Sequence, residues 1–341
     1  MHSANDSSLS DWRTQALALE AEIKKAIIGQ DRAIRLLVTA VFARGHALLE
    51  GDVGVGKTTL LRALAQVLGG DYERIEGTID LMPNDLIYHT YINEQGRPAI
   101  DLGPLLKHEE KLATFFFNEV NRARPQVHSL LLRVMAERSV TAFNREYTFP
   151  HLQVFADRNK VEKEETFELP AAARDRFLME LNIAMPEDIA LQRELMFDTR
   201  FFDVDKLIGQ LNSGIVAYDQ LNDISAKIQA GVKSSETIEN YALDVCAATR
   251  NPGKYGIAID GVDMDKFVLS GVSPRGMGML IRAAKVAAWL NNRDSLVPED
   301  FHAVLFETIA HRVFFHPVYE LHRGELVAQL MDAIVGKVAA P

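Results

Sequence analysis

Cysteine is nearly absent from this chain, and its scarcity limits the chemistry that the sequence supports. Cys246 is the single cysteine in 341 residues. One thiol cannot form an internal disulfide, and the polar amino terminus, MHSANDSSLSDW, has no basic segment followed by an apolar stretch. Both observations predict a reducing compartment, the cytoplasm. Within YALDVCAATR, the thiol is interpreted as a small buried hydrophobic side chain and not as a nucleophile.

Long apolar runs and an excess of positive charge are also missing. No stretch of about 18 apolar residues occurs, so we expect no membrane-spanning helix. The chain has 37 basic and 47 acidic residues, a net charge of −10, and so has no overall attraction to nucleic-acid phosphates. Protein partners are therefore expected. With 48% hydrophobic residues the chain is expected to be globular, and its length favours two domains.

Short apolar strands alternate with helical patterns in the first half of the chain. The strands are predicted at residues 46–50, 113–117, 152–156 and 177–183. A helical repeat of leucine and valine follows the first strand and stops at Gly69 and Gly70. Buried strands that alternate with helices indicate an α/β fold, with a parallel sheet flanked by helices. The alternating residues 138–149, with Asn144 in their middle, predict a β-hairpin.

The pattern changes after Met185-Pro186, because helical periodicity dominates from there to the end of the chain. We therefore predict two domains, an α/β domain at residues 1–184 and a smaller all-helical domain at residues 185–341. Residues 81–112 are irregular and mixed in polarity, which is typical of an insertion.

A glycine-rich segment carries the strongest chemical signal. GDVGVGKT fits the pattern G-x-x-x-x-G-K-[ST] at every fixed position, between a predicted strand and a predicted helix, which disfavours an accidental glycine turn. Glycines let backbone N–H groups surround a β-phosphate, and the helix start attracts the same anion. Lys57 is expected to bind the β- and γ-phosphates, and Thr58 to bind Mg²⁺. The predicted ATP-binding residues here are Gly51, Asp52, Val53, Gly54, Val55, Gly56, Lys57, Thr58 and Thr59.

The second expected element is an apolar strand that ends in acidic residues. TFFFNE, residues 114–119, is the segment that fits, and its three phenylalanines are interpreted as a buried strand and not as an aromatic box. Glu119 is then the base that polarises the attacking water. Asn118 is the expected metal-site residue, but an amide brings no negative charge to a dication. The sequence therefore predicts weak Mg²⁺ binding and slow turnover.

Three further residues are candidates for contact with the γ-phosphate. Asn159 follows the next predicted strand, where a polar side chain can hold the phosphate or the water, with an ordinary loop asparagine as the alternative. Arginines neutralise the charge that develops on the transferred group, in cis or from a neighbouring subunit. Arg176 in RDRF and Arg275, in the first turn of the helix that Ser273-Pro274 starts, are the best placed, although each alone would suit a surface charge.

These residues resemble one family closely, the MoxR group of AAA+ ATPases. The resemblance runs from about Ile28 to Val313. The segment NRA-x-P within it is more specific to the family than the glycine-rich loop. The segments that carry it are IIGQ (27–30), GHALLEGDVGVGKTTL (45–60), NEVNRARPQVHSLLLRVMAERSVT (118–141), VFADRNKVE (154–162), LPAAARDRF (169–177), SPRG (273–276), VPEDF and AHRV.

The resemblance implies a P-loop AAA+ core with a helical lid, an insert within Asp80–Gly103 and hexameric rings with the site between subunits. It implies that Asn159 is sensor 1, Arg176 the arginine finger and Arg275 sensor 2. It also implies that Ile28 and Gly29 lie near the adenine.

Members of this family look like chaperones that act with a von Willebrand factor A partner on metalloenzymes, including methanol dehydrogenase. The family usually has aspartate at the position of Asn118 and proline at that of Lys160. The first departure bears on hydrolysis, and the second on loop stiffness.

Three functions remain open from the sequence. The first is a ring-forming ATPase that remodels a protein client, and the second is a nucleotide-gated scaffold with reduced hydrolysis. The third, a DNA-acting motor, is disfavoured because the helix-face charges Arg122, Arg124 and Arg133 are those of an ordinary solvated surface.

The carboxy-terminal histidines have no spacing typical of a metal site, and packing roles are expected for them: His302, His311, His316 and His322.

Overall fold

The computed structural model describes residues 8–160 and 167–341, so the first seven residues and the end of the VFADRNKVE segment lie outside the described part. The strands are β1 (His46–Gly51), β2 (Asp71–Glu76), β3 (Tyr88–Ile92), β4 (Pro98–Leu102), β5 (Leu112–Asn118), β6 (Ser139–Ala142), β7 (Arg145–Thr148), β8 (Gln153–Asn159), β9 (Phe177–Ile183), β10 (Val268–Ser270) and β11 (Phe314–Phe315).

The helices alternate with these strands in the first half of the chain and dominate the second half. They are α1 (Leu9–Ala26), α2 (Asp31–Phe42), α3 (Lys57–Leu68), α4 (Pro125–Glu137), α5 (Ala171–Arg174), α6 (Ile189–Phe197), α7 (Val204–Gly209), α8 (Leu221–Gly231), α9 (Glu236–Ala248), α10 (Met264–Phe267), α11 (Pro274–Leu290), α12 (Pro298–Ile309), α13 (Pro317–Glu320) and α14 (Arg323–Lys337). None of the described helices is long and apolar enough to cross a bilayer.

Five strands form the main sheet, in the order β2-β5-β8-β1-β9. The pairs β2–β5, β5–β8 and β1–β8 are parallel. Every residue of β5 is buried, as the apolar run TFFF predicts for a central strand. The α/β fold predicted from the sequence is confirmed. Because parallel strands place their carboxyl ends at one edge, the residues that follow β1, β5 and β8 meet there.

Two hairpins project from this part of the chain. The first pairs β3 with β4 and lies within the predicted insert, Asp80–Gly103. The second pairs β6 with β7, and the two residues between them, Phe143 and Asn144, have φ angles of 52° and 58°. Two left-handed residues form the tight turn that matches strand twist. The hairpin predicted at residues 138–149 is therefore confirmed.

Contacts divide the chain into two compact units. The first comprises Met1–Arg176 and Leu181–Asp223, and the second comprises Phe177–Glu180 and Ile224–Pro341. The predicted boundary at residue 184 stays a prediction, because contact density does not measure which segment folds alone.

The second unit is helical, as predicted, apart from one short antiparallel pair, β10–β11. Helix α11 begins at Pro274, and the Ser273 hydroxyl accepts a hydrogen bond from Gly276 N–H, the predicted cap. Its apolar face packs on α12. This strand pair is held to the helical unit by an aromatic contact. Phe315 of β11 stacks on Phe267 at the end of α10, with ring centroids 4.2 Å apart.

Candidate nucleotide site

The glycine-rich loop joins the end of β1 to the start of α3. Gly54 and Gly56 have φ angles of 82° and 90°, a region that residues with a Cβ rarely adopt. A Cβ on Gly51 would overlap the carbonyl oxygen of Ile183 on β9. Each fixed glycine of the motif therefore has a local structural reason.

The amino end of α3 is available to an anion. The N-cap residue is Gly56, which has no side chain to accept from the first-turn amides. The loop residues Asp52, Val53 and Gly54 are exposed, and 67% of Val53 is accessible. Val55 and the two threonines that follow the lysine, Thr58 and Thr59, are half-buried. The loop thus presents backbone to solvent at the end of β1.

The Lys57 ammonium lies at the centre of the site. The side chain is buried, and Nζ donates to the carbonyl oxygens of Gly51 and Asp52 at 3.0 and 2.8 Å. It also donates to Oδ1 of Asn159 at 2.8 Å. The structure therefore brings together two residues that the sequence predicted separately, 102 positions apart.

The expected base, Glu119, is held on both carboxylate oxygens. Its Oε1 accepts a hydrogen bond from Nδ2 of Asn159 at 3.2 Å, and its Oε2 forms an ion pair with Nη1 of Arg122 at 3.0 Å. The backbone of Glu119 has a φ of 51°, in the left-handed region. A glutamate held in this unfavourable region is typical of functional sites. Lys57, Asn159, Glu119 and Arg122 thus form one continuous polar chain.

A residue that the sequence analysis missed, Asp157, lies beside Asn118. The Asn118 amide satisfies its neighbours when its nitrogen faces Asp157, 3.2 and 3.0 Å from the carboxylate oxygens, and its oxygen accepts from Arg74 Nη2 at 3.1 Å. Thr58 Oγ1 is 3.3 Å from the amide nitrogen.

Asp157 is 2% exposed, and its Oδ1 accepts the Glu119 N–H at 2.5 Å. Burial raises the pKa of this carboxyl to about 6. The available signal was the acidic residue directly after the apolar run VFA, because a buried charge requires a specific partner.

The oxygen donors at this edge fit a hard dication. They comprise the Thr58 hydroxyl and the Asp157 carboxylate, and Mg²⁺ prefers oxygen ligands of these kinds. The Asn118 amide oxygen accepts from Arg74 instead, so it is not among them. The ion would neutralise negative charge on the β- and γ-phosphates.

The two predicted arginines lie on elements other than the strand ends that form this cluster. Arg176 is half-buried and donates through Nη1 to Ala172 O at 2.8 Å, and its Nε has no hydrogen-bond partner among the described residues. Arg275 lies exposed in the first turn of α11, in the second unit.

The residues expected near the adenine precede α2. Ile28 and Gly29 are half-buried, and a Cβ on Gly29 would overlap Pro186. The neighbouring Gln30 donates from Nε2 to Ala184 O at 2.6 Å. The IIGQ segment therefore packs against the chain that leaves β9, the strand beside β1.

The parallel sheet, the glycine loop on an uncapped helix and the polar ends of the neighbouring strands define the core of a P-loop ATPase. Residues 46–179 match the model of the ATPase family associated with various cellular activities (AAA), and residues 265–332 match that of the AAA lid domain.

Similarity to individual proteins extends over nearly the whole chain. The chain is 58% identical to Protein MoxR of Methylorubrum extorquens, over 98% of each protein. It is 53% identical to Protein MoxR of Paracoccus denitrificans, over 98% of this chain and 99% of that one. It is 33% identical to Chaperone MoxR1 of Mycobacterium tuberculosis, over 94% of this chain and 81% of that one.

A solved structure shares the fold. The crystal structure of a protein from Cytophaga hutchinsonii, assigned as an ATPase, superposes with a TM-score of 0.82 at 30% identity, over 98% of this chain and 97% of that one. The chain belongs to the MoxR family of AAA+ ATPases. Membership implies nucleotide binding and ATPase activity.

Proposed function

We propose that this ATPase binds Mg-ATP at residues 51–59 and couples its hydrolysis to the remodelling of a protein client. The observation that carries the proposal is the polar chain from Lys57 through Asn159 to Glu119. A γ-phosphate at the Lys57 ammonium would compete with Asn159 for it. Nucleotide binding would thereby release the asparagine that holds the expected base.

The proposed roles follow from this chain of contacts. Lys57 holds the β- and γ-phosphates, Glu119 polarises the attacking water, and Asn159 senses the phosphate. Arg176 acts as the finger in a neighbouring subunit, a role that the resemblance of LPAAARDRF to the family supports. Arg275 acts as the second sensor from the helical unit.

The proposed assembly is a hexameric ring in the cytoplasm that works with a von Willebrand factor A partner. The proposed client is a metalloenzyme, such as methanol dehydrogenase. The near-full-length similarity to Protein MoxR of two bacteria supports this choice, and the name Chaperone MoxR1 of a third relative supports client remodelling. Light scattering with and without ATP tests the ring, and a monomer under both conditions would contradict it.

Steady-state phosphate release tests the central proposal. The wild-type chain with saturating Mg-ATP is expected to release phosphate well above the rate of Lys57→Ala, which lacks the phosphate-binding ammonium. Lys107→Ala is the matched control, because this exposed lysine pairs with Glu73 on β2 and not with the glycine-rich loop. Equal rates for wild type and Lys57→Ala would contradict hydrolysis at this loop.

A nucleotide-gated scaffold is the second candidate, because Asn118 stands where the family usually has aspartate and because Glu119 is paired on both oxygens. Turnover is proposed to be slow because the Asn118 amide brings no negative charge to the metal. Asn118→Asp is expected to release phosphate faster than the wild-type chain. A variant no faster than wild type would contradict the slow-turnover proposal.

A further inference from the structure

A carboxylate is present at the metal edge of the site, but on a different strand from the one that the sequence indicates. Strands β5 and β8 are parallel, and their pairing ends with Phe117 opposite Ala156. The next residues, Asn118 and Asp157, lie side by side, with amide and carboxylate 3.0 to 3.2 Å apart. Where the family usually has an acid on β5, this chain has the amide Asn118, and the carboxylate, Asp157, lies on the neighbouring strand β8.

The direction of the Asp157 side chain follows from strand geometry. Residues two apart on a strand point to the same face, so Asp157 shares its face with Asn159. Asn159 contacts the Lys57 ammonium, and the charge of Lys57 acts on the Asp157 carboxyl. Asp157 therefore faces the phosphate loop.

The contacts of Asp157 leave its charge uncompensated by any ion pair among the described residues. Its polar contacts there are two amide donors, the Glu119 N–H and the Asn118 side chain. A buried carboxylate whose direct contacts are amides is costly to ionise, even with the charges of Lys57 and Arg74 near it. A nearby dication would supply the missing positive charge.

We propose that Asp157 provides the negative charge of the magnesium site that Asn118 cannot provide. The inference rests on the proposed Mg-ATP binding at the glycine-rich loop. Asn118 becomes a positioning residue, because its amide nitrogen donates to Asp157 beside the Thr58 hydroxyl. With a carboxylate from Asp157, Mg²⁺ is no longer expected to bind weakly. Turnover is still expected to be slow, since this charge lies on β8 and not at the position of Asn118 on β5.

The test measures how much Mg²⁺ strengthens ATP binding. The dissociation constant of a fluorescent ATP analogue is measured in EDTA and in Mg²⁺, and the ratio of the two values is the metal enhancement. In Asp157→Asn the ratio is expected to fall by about tenfold to a hundredfold, the usual loss when a supporting group of a metal site is removed. Affinity in EDTA is expected to stay close to that of wild type, since Lys57 and the loop are intact.

Two further variants make the test specific. The exchange Asn118→Asp with Asp157→Asn restores one carboxylate at the same edge and is expected to recover most of the lost ratio. Asp101→Asn removes an exposed carboxylate on β4 and is expected to keep the wild-type ratio. If Asp157→Asn does not fold, Asp157→Glu keeps the charge and displaces it by one methylene, and a lower ratio is expected there too.

The outcomes separate this inference from the proposed function. A wild-type chain that binds no ATP in either buffer overturns both. A wild-type chain with clear metal enhancement, together with an Asp157→Asn variant of equal enhancement, overturns only the role of Asp157. An unchanged ratio in a folded Asp157→Glu variant does the same.

Discussion

The two ends of the main sheet carry buried polar clusters with different kinds of partners. At the carboxyl ends of the strands, the Asn159 amide bonds to the side chains of Lys57 and Glu119. At the opposite end, Arg44 Nη2 donates to His151 O at 2.7 Å, and Gln153 Nε2 donates to the carbonyls of Ala40 and Gly45 at 3.1 and 2.9 Å.

The difference shows that burial of a polar side chain does not by itself tell whether the side chain serves stability or function. A side chain that satisfies fixed backbone carbonyls stabilises the fold, because its loss leaves those carbonyls unpaired. A side chain bonded to other mobile side chains can exchange its partner for a ligand. The first end is therefore expected to govern ATP turnover, and the second to govern stability.

The largest expected effect comes from the site end. Asn159→Ala removes the link between Lys57 and Glu119 and a donor near the transferred phosphate, so phosphate release is expected to fall by about 100-fold or more. The urea midpoint is expected to change little. The control is Asn182→Ala on β9, an exposed asparagine that accepts from Lys160 Nζ. A large loss of stability in Asn159→Ala with unaltered turnover would contradict the expectation that this end of the sheet governs turnover.

At the opposite end of the sheet, a substitution is expected to lower stability and to leave nucleotide binding unchanged. Gln153→Leu keeps the volume but removes the acceptor of Arg44 Nη1 and the donor of two carbonyls, all buried. Ala40 O keeps its bond from Gly45 N–H, so two groups lose their partner. At about 1 to 3 kcal/mol for each, the free energy of unfolding is expected to fall by roughly 2 to 6 kcal/mol. Urea denaturation measures this change.

ATP affinity serves as the second readout for Gln153→Leu, and it is expected to match that of wild type. The exposed Gln95→Leu on the β3–β4 turn is the control for a change from amide to hydrocarbon. A Gln153→Leu variant of normal stability and poor nucleotide affinity would remove the contrast between the two ends.

Sequence reasoning found the elements whose signal is local. The glycine loop, the four buried strands and the β6–β7 hairpin were predicted because glycine pattern, apolar runs and turn residues are all short-range features. Strand β9 was predicted with the same bounds, Phe177–Ile183. Strand β2 is not predicted from the sequence, since this edge strand, DYERIE, lacks the apolar run of a central strand.

The part of the site that sequence reasoning missed depends on strand order. Nothing in the sequence states that β5 and β8 are neighbours, although the resemblance to a family implied it in general terms. The contact between Asn118 and Asp157 needs both that adjacency and its register. The sequence therefore indicates Asn118 as a metal-site residue and gives no sign that Asp157 lies beside it.

The smallest expected effect concerns a buried histidine that supports the segment after β5. Nε2 of His128 on α4 hydrogen-bonds to Val120 O at 2.7 Å, and burial lowers its pKa. Above the unfolded pKa of about 6.5 the imidazole is neutral in both states. As the pH falls below that value the unfolded chain takes up the proton first, so the folded state loses stability until the pH reaches the lowered folded pKa.

His128→Gln keeps a donor for the Val120 carbonyl and removes this titration. Between pH 7.5 and pH 5.5, the variant is expected to lose less unfolding free energy than wild type, by a difference of about 1 kcal/mol, measured as urea midpoints at both values. Asp157 acts in the opposite direction, because its raised pKa favours protonation of the folded state near pH 6, but it is common to both chains and cancels in the comparison. Equal acid sensitivity in the two chains would show that His128 takes up its proton equally well in both states.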